Sequence, residues 1–307
     1  MTQKDHAALA GVSIPTIVAF DRGEFTLTLS KAFDILRVVG LLVEVAPETA
    51  QGNFVREAYA RWQRLVGDLP KRSPARFPDG SYRIDYWLEG DLRPIELHRF
   101  QELLERAVLR VSGWPPFWVP THPELAPREV DGTIECWLKP EESGVVRAVG
   151  GDPAHCDFWR ASPSGRIFLM RGYQEDSQET FPPATVFDTT LPIWRLGETL
   201  LHAGRLAALL GLDPNRVKVH FRAHYTGMLG RRLTEWARPI GGRWAFGGQP
   251  ARSDEAVIET VIEAARIDAD LDQIVHPLVS SLFERFGVAG LTREFVASEL
   301  ARMRKRG

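Results

Sequence analysis

A chain of 307 residues that is 44% hydrophobic and 25% charged is too long for one small domain, and has the composition of a globular protein able to bury a sizeable core. Its formal net charge of −2 excludes a uniformly basic nucleic-acid coat, so any affinity for DNA must come from a local surface or from pairing of two copies. Two cysteines, Cys136 and Cys156, exclude a disulfide framework and lack zinc-site spacing, and neither the polar start MTQKDH nor the short, interrupted apolar run at 38–45 suits a signal peptide or a membrane span. A cytoplasmic protein with no membrane partner is expected.

Residues 1–45 read as short helices with tight turns. Gln3 to Leu9 gives a first helix, Gly11 stands where the chain turns with positive φ, and Ser13 is placed to cap a second helix running to about Asp21. Ala7, Leu9, Val12, Ile17 and Phe20 are the positions expected to lock the two helices, with Leu29, Phe33, Leu36 and Leu41 on a packing helix behind them. Arg22-Gly23 ends the second helix with another glycine. Residues 46–79 are expected to be a connecting helix, carrying Phe54, Ala58, Tyr59, Trp62 and Leu65, followed by the proline-rich linker LPKRSPARFPDGS.

From 80 to 245 strand and helix patterns alternate. SYRIDYWLEG, TIECWLK, CDFWRA, RIFLMRGY and RVKVHFRAHY are strand-like, the SPSG between CDFWRA and RIFLMRGY predicts a hairpin, and PIELHRFQELLERAVLRV and LPIWRLGETLLHAGRLAALLG have helical spacing. Residues 246–307 read as helical throughout, in EAVIETVIEAARI, DLDQIVHPLVSSLFERFG and TREFVASELARMRKR, and are the expected dimerisation region. The fold class predicted is α+β: a small all-α helix-turn-helix domain, a mixed α+β domain and a C-terminal helical segment.

The helix, glycine turn and helix of TQKDHAALAGVSIPTIVAFDRGEF, with the packing helix after it, resemble the helix-turn-helix domains of Cro/phage-repressor, or xenobiotic-response-element, regulators over about 42 residues. The resemblance implies that the helix from 13 to 21 enters the major groove of double-stranded DNA. Ser13, Ile14, Pro15, Thr16 and Ala19 would then face base edges, Gln3 would hold a phosphate, and Arg22 would belong to the same DNA-binding surface. It also implies a helix ahead of the first one; by this reading that helix is missing, since Met1 stands directly before Thr2-Gln3. His6 occupies a position where the family pattern has a buried leucine. The charges in the stretch, Lys4, Arg22, Lys31 and Arg37 against Asp5, Asp21, Glu24, Asp34 and Glu44, do not make it basic.

The stretch from GWPPFWVP to HYTGMLGRRLTEW is similar to a C-terminal module found in bacterial proteins behind Schlafen/Alba-type DNA-associated domains, a likeness that carries no activity with it. Its aromatic density suggests a pocket for a flat or anionic effector, with Trp114, Trp118, Trp137, Trp159, Arg160 and Arg171 as its candidate residues; an aromatic core with surface arginines is the plainer alternative. His155-Cys156-Asp157 invites a nucleophile reading, which fails if the three share a strand, because neighbours then point to opposite faces. Lys218, His220, Arg222 and His224 share one strand face, either as a phosphate site or as a solvated face opposite acidic side chains. Glu135, Asp157, Glu175 and Asp176 share no metal-ligand spacing, and no phosphate loop, dinucleotide fingerprint or zinc-hydrolase motif occurs, so neither an enzyme nor a cofactor is expected. The expected function is a homodimeric transcriptional repressor with a sensory or dimerising large domain. The alternative is an antitoxin-like or phage-defence interaction protein that binds DNA only for autoregulation.

Overall fold

The computed structural model describes residues 2–23, 29–38, 49–138, 152–177, 181–235 and 249–305. The expected packing position Leu41 and the side chains of Leu29 and Phe33 lie outside the described residues. The protein is mixed α+β and divides into two units, Met1–Asn53 and Phe54–Gly307.

The small unit holds α1 (Gln3–Leu9), α2 (Ile14–Asp21) and α3 (Leu29–Val38). Thr2 and Asp5 close a capping box on α1, and Ser13 Oγ accepts the Thr16 N–H at the start of α2. Between the helices Gly11 adopts φ +63°, a conformation that glycine reaches without the steric cost of a Cβ. The core is small: Ala7, Ala10, Ile17 and Ile35 are buried, with Val12, Phe20 and Val38 packed around them. Leu9, expected to lock the helices, is instead 69% exposed and Ala10 fills the position. Helical spacing explains the exchange, because Ala10 lies three residues beyond Ala7 on the same face whereas Leu9 lies two beyond it. His6 keeps its half-buried place by hydrogen bonding from Nε2 to the Ile35 carbonyl at 2.9 Å.

The large unit is built on a seven-stranded antiparallel sheet. Its strands are β1 (Ser81–Glu89), β2 (Arg128–Val130), β3 (Thr133–Trp137), β4 (Phe158–Ser162), β5 (Arg166–Gly172), β7 (Lys218–Thr226) and β9 (Ala256–Glu263), in the order β2-β3-β4-β5-β1-β7-β9. A separate parallel pair is formed by β6 (Val186–Asp188) and β8 (Arg232–Thr234). The predicted β4–β5 hairpin is present, turning at Gly165 with φ +75°. One sheet face carries the main core, into which α5 (Leu97–Ala107), α6 (Leu191–Leu209), α7 (Leu271–Phe283) and α8 (Arg293–Arg304) send their apolar residues. The other face, at β4 and β5, is covered by α4 (Ala50–Val66) from Phe54 onward.

Two expectations are corrected here. The linker after α4 is packed structure: Ala75 and Phe77 are buried with Phe54, Trp62, Phe158 and Phe168, and the Trp62 and Phe77 rings stack at 5.6 Å. Its prolines mark turns, as they should, but Ala75 and Phe77 bring apolar surface that a solvated linker would lack. The segment EAVIETVIE is not helical. It is β9, in which Ala256, Ile258 and Ile262 are buried and Val257, Glu259, Val261 and Glu263 are exposed, an alternation of period two that its i, i+4 apolar pairs disguise. The helix expected at LPIWRLGETLLHAGRLAALLG is α6, and thirteen of its nineteen residues are buried, among them Arg195, Glu198 and His202.

Candidate functional site

On the small unit, α2 presents an exposed N-terminal turn. Ile14 is 45% exposed, Pro15 is exposed, Thr16 and Ala19 are half-buried, and Arg22 is exposed at the C-terminal end. The polar groups on this surface are engaged with one another. Ser13 Oγ lies 2.7 Å from Thr16 Oγ1, and the Gln3 side-chain amide donates to Asp21 at 3.0 Å. Ser13 and Thr16 thus form the cap of α2, and Gln3 ties the start of α1 to the end of α2.

On the large unit, four of the six candidate pocket residues meet, since the Trp114 and Trp118 rings pack at 4.7 Å, Trp159 reaches the Trp118 carbonyl and Arg171 the Trp114 carbonyl, whereas Arg160 and Trp137 lie apart from them. Trp159 and Arg160 are neighbours on β4 and point to opposite faces: the Trp159 indole donates to the Trp118 carbonyl within the main core, whereas Arg160 donates to Thr133 on the other face, where Trp137 also packs. Trp114 stays beside Asp157, donating to it at 3.2 Å. Of the six, Arg171 lines the cavity described next.

That cavity follows from strand register. Tyr82 on β1 stands opposite Arg171 on β5 and Tyr225 on β7, so the three side chains form one row across the inner sheet face, with the small Ala256 of β9 next to Tyr225. The Tyr82 and Tyr225 rings are 6.0 Å apart. Leu191, Pro192 and Arg195 from the first turns of α6, Phe187 from β6, and Gly172, Gln174 and Glu175 at the end of β5 complete the walls. Gly172 is required there, because a Cβ would overlap Pro153. The free space is about 20 Å³, enough for a water molecule or the tip of a ligand.

The charges around it are deeply buried. Arg171 grips Asp157 with Nε at 2.7 Å and with Nη2, and also donates to the carbonyls of Trp114 and Pro115. Arg195 directs Nη1 at Glu198, Ser112 and the Trp114 carbonyl. Asp157 and Glu198 are fully buried, Arg171 is 1% exposed and Arg195 7%. Burial pushes the Tyr82 and Tyr225 hydroxyls up, so both stay protonated; Arg171 opposes the shift at Tyr82, and among the described residues neither hydroxyl proton finds an acceptor. Glu175 accepts the Asp188 N–H at 2.9 Å, and burial, reinforced by the Asp188 charge, raises its carboxyl to about 7. The start of α6 is already occupied, since Asp188 accepts from the amides of Thr190 and Leu191, both at 2.6 Å.

The remaining chemical candidates are structurally engaged. His155 lies in a 3-10 turn, Pro153–His155, ahead of β4, where it pairs with Asp152 and packs on Trp114. Cys156 donates to the Asp152 carbonyl, and burial raises its thiol to about 12, far from a nucleophilic thiolate. The strand argument against this pair therefore does not apply, but both groups are spent on Asp152, the imidazole on its carboxylate and the thiol on its backbone carbonyl. On β7, Glu89 reaches both Lys218 and His220, His220 stacks on Trp87 at 4.2 Å, and His224 pairs with Glu255. Glu135 and Asp176 are held by Arg61 and Arg231. Among the described residues no cluster of His, Cys, Asp and Glu could hold a metal ion.

Sequence reasoning passed over Tyr82, Tyr225, Phe187, Pro192 and Arg195 as site residues, and saw Glu175 without its surroundings. A signal was present in α6, where Arg195 and Glu198 sit at i and i+3 on a helix otherwise rich in apolar residues. Comparison with known proteins found no match to this chain among family models, curated proteins or solved structures.

Proposed function

We propose that this protein is a homodimeric DNA-binding transcriptional repressor that reads double-stranded DNA through α2. The supporting observation is the helix, positive-φ Gly11 and helix arrangement of residues 3–21, with a capped α2 whose N-terminal turn is open to solvent. An α-helix fits the major groove, and a short one reads few bases, so two copies on paired half-sites supply affinity and spacing. With Ser13 and Thr16 engaged in the cap, readout falls to apolar contact between Ile14, Pro15 or Ala19 and thymine methyl groups, while Gln3 and Arg22 face the backbone. No helix among the described residues is long and apolar enough to cross a membrane.

Fluorescence anisotropy of the full chain on its own upstream DNA and on a scrambled duplex, at two salt concentrations, tests the proposal. Selective binding that an Ile14→Ala, Ala19→Glu variant loses supports it; equal, weak, salt-quenched binding to both duplexes overturns it. A second reading, docking to another protein, is favoured by the exposure of Leu9 (69%) and Ile14 (45%) on the same small unit. Under that reading, co-purification of a neighbour-encoded protein is lost on Leu9→Asp while DNA binding is unchanged.

A further inference from the structure

The two edges of the seven-stranded sheet are finished differently. β2 ends one side with three residues, of which Arg128 and Glu129 are exposed, a short charged edge of the kind that discourages pairing. β9 ends the other side with eight residues in unbroken register against β7, from Lys218↔Glu263 to Tyr225↔Ala256, and contains no proline, lysine or bulge. Among the described residues no further strand pairs with it.

The register shows which backbone groups of β9 are open. The Ala264 N–H donates to the Val217 carbonyl at 2.9 Å, and these two residues continue the β7–β9 register, so Ala256, Ile258, Thr260 and Ile262 are the positions that exchange bonds with β7. The N–H and C=O groups of Val257, Glu259, Val261 and Glu263 therefore point away from the sheet. Val257 is 40% and Val261 56% exposed, on the face that β7 lines with Lys218, His220, Arg222 and His224. Open amides and carbonyls beside exposed valines are what an added strand pairs with.

A second copy of β9 fits that edge in one register. Side chains alternate between faces, so a continued sheet admits a two-fold axis only at a residue. An axis at Glu259 sets it against the partner's Glu259, and an axis at Val261 sets Glu259 against the partner's Glu263. With the axis at Thr260, Glu259 meets the partner's Val261, Val257 the partner's Glu263, and Ile258 the partner's Ile262. The strand is then paired from end to end, every open amide and carbonyl faces one of the partner's, and no like charges stand opposite each other. Axes further along pair less of the strand. Arg222 and Lys218 of β7 stand opposite Glu259 and Glu263 within each protomer and balance their charge.

We infer that two copies of this chain pair antiparallel through β9, about a two-fold axis at Thr260, so that one sheet runs through both protomers. The inference rests on the homodimer of the reading above, whose surface it places on a strand, and is independent of DNA binding by α2.

Sedimentation velocity of the full chain from about 1 to 200 µM tests it, because one strand pair is a small interface and its association depends on concentration. Wild type is expected to pass from 34.5 kDa towards twice that mass. Val261→Glu places like charges opposite each other at the partner's Glu259 and weakens association at least about tenfold, whereas Val261→Lys meets that glutamate favourably and associates at least as well as wild type. Val261→Pro removes an amide that β7 does not use, so the melting temperature holds and the dimer is lost. Thr260→Cys gives a disulfide-linked dimer on mild oxidation, since the partner's Thr260 lies directly across the axis and the native Cys136 and Cys156 are buried. Val257→Cys does not, because the partner's Val257 lies about 20 Å along the strand. A dimer left intact by Val261→Glu and Val261→Pro, or cross-linking through Val257→Cys in place of Thr260→Cys, overturns the β9 interface and leaves the homodimer standing. A monomer at every concentration overturns both, and DNA binding by α2 is then decided by the anisotropy titration alone.

Discussion

The two units of this protein place their polar chemistry in opposite settings. On the small unit, the side chains expected to act lie at or near the surface, where Ser13 and Thr16 bond each other and Gln3 bonds Asp21. In the large unit, Asp157, Arg171, Arg195 and Glu198 are buried, and the hydroxyl protons of Tyr82 and Tyr225 beside them find no acceptor among the described residues. Exposed polar pairs contribute little and exchange readily with water or with a ligand, whereas buried ones are retained only where each charge meets another group. The small unit thus keeps its polar groups within reach of solvent, and the large unit keeps these charges inside its core. Substitutions in the two settings therefore differ in size.

The largest effect belongs to the buried pair. Arg171→Met leaves the Asp157 carboxylate in the core with the Trp114 indole as its one remaining side-chain donor among the described residues, which costs about 3–5 kcal/mol, the range for breaking a buried pair. Urea unfolding followed by tryptophan fluorescence measures it. A loss below about 1 kcal/mol would mean that water reaches Asp157, and the contrast between the units would collapse.

A pH series sharpens the same contrast. The Glu175 carboxyl sits near 7 in the folded chain against an ordinary value of 4.5, so the folded state binds the proton more tightly than the unfolded state. Its contribution is favourable below about pH 4.5 and is lost as pH rises through 7, where an ionised carboxylate is left buried. Glu175→Gln keeps an oxygen for the Asp188 N–H and removes the titration. Its advantage over wild type is expected to be below about 1 kcal/mol at pH 5 and on the order of 3 kcal/mol at pH 8, since one pKa unit is worth about 1.4 kcal/mol. Chemical denaturation midpoints at several pH values read it directly; parallel slopes for the two proteins would assign the decline to another group.

Legibility in the sequence followed the same division. The helices and turn of residues 3–21 could be read one by one, because Gly11, Ser13 and the apolar spacing act within a few residues. Strands β1, β4, β5 and β7 were also visible, since their alternation or apolar density is local. The cavity was not visible, because Arg171, Tyr82 and Tyr225 meet through the register of three strands up to 143 positions apart in the chain, and register is a property of the sheet. The grouping of six aromatic and arginine residues came together only in part, on the same ground: Trp114, Trp118, Trp159 and Arg171 meet, but Arg160, adjacent to Trp159 in sequence, is separated from it by the sheet itself. Segment β9 was misread because Val257-Ile258 and Val261-Ile262 repeat at four residues, a spacing compatible with both periods until the partner strand decides.

A smaller effect tests the local end of the comparison. Ser13→Ala removes the cap oxygen that receives the Thr16 N–H, at a cost of about 1 kcal/mol. Amide hydrogen exchange in α2 is expected to speed up roughly fivefold, while protection in β1 and β7 stays unchanged. An equal loss of protection in those strands would show that the two units unfold together.

The smallest effect separates shape from function on α2. The Gln3 amide is held by Asp21, and Asp21 also places a negative charge at the edge of the surface proposed to meet DNA phosphates. For Gln3 to hold a phosphate, this 3.0 Å bond has to break, and the phosphate has to approach Asp21. Asp21→Asn weakens the tie and removes the repulsion, so stability changes by only a few tenths of a kcal/mol, as usual for exposed pairs. DNA affinity instead rises about two- to fivefold, with a steeper dependence on salt because one opposing charge has gone. Anisotropy titrations of the variant and wild type on one duplex measure both quantities. Unchanged affinity would remove Gln3 and Asp21 from the contact surface and leave the exposed Leu9 and Ile14, with their suitability for a protein partner, as the stronger account of the small unit.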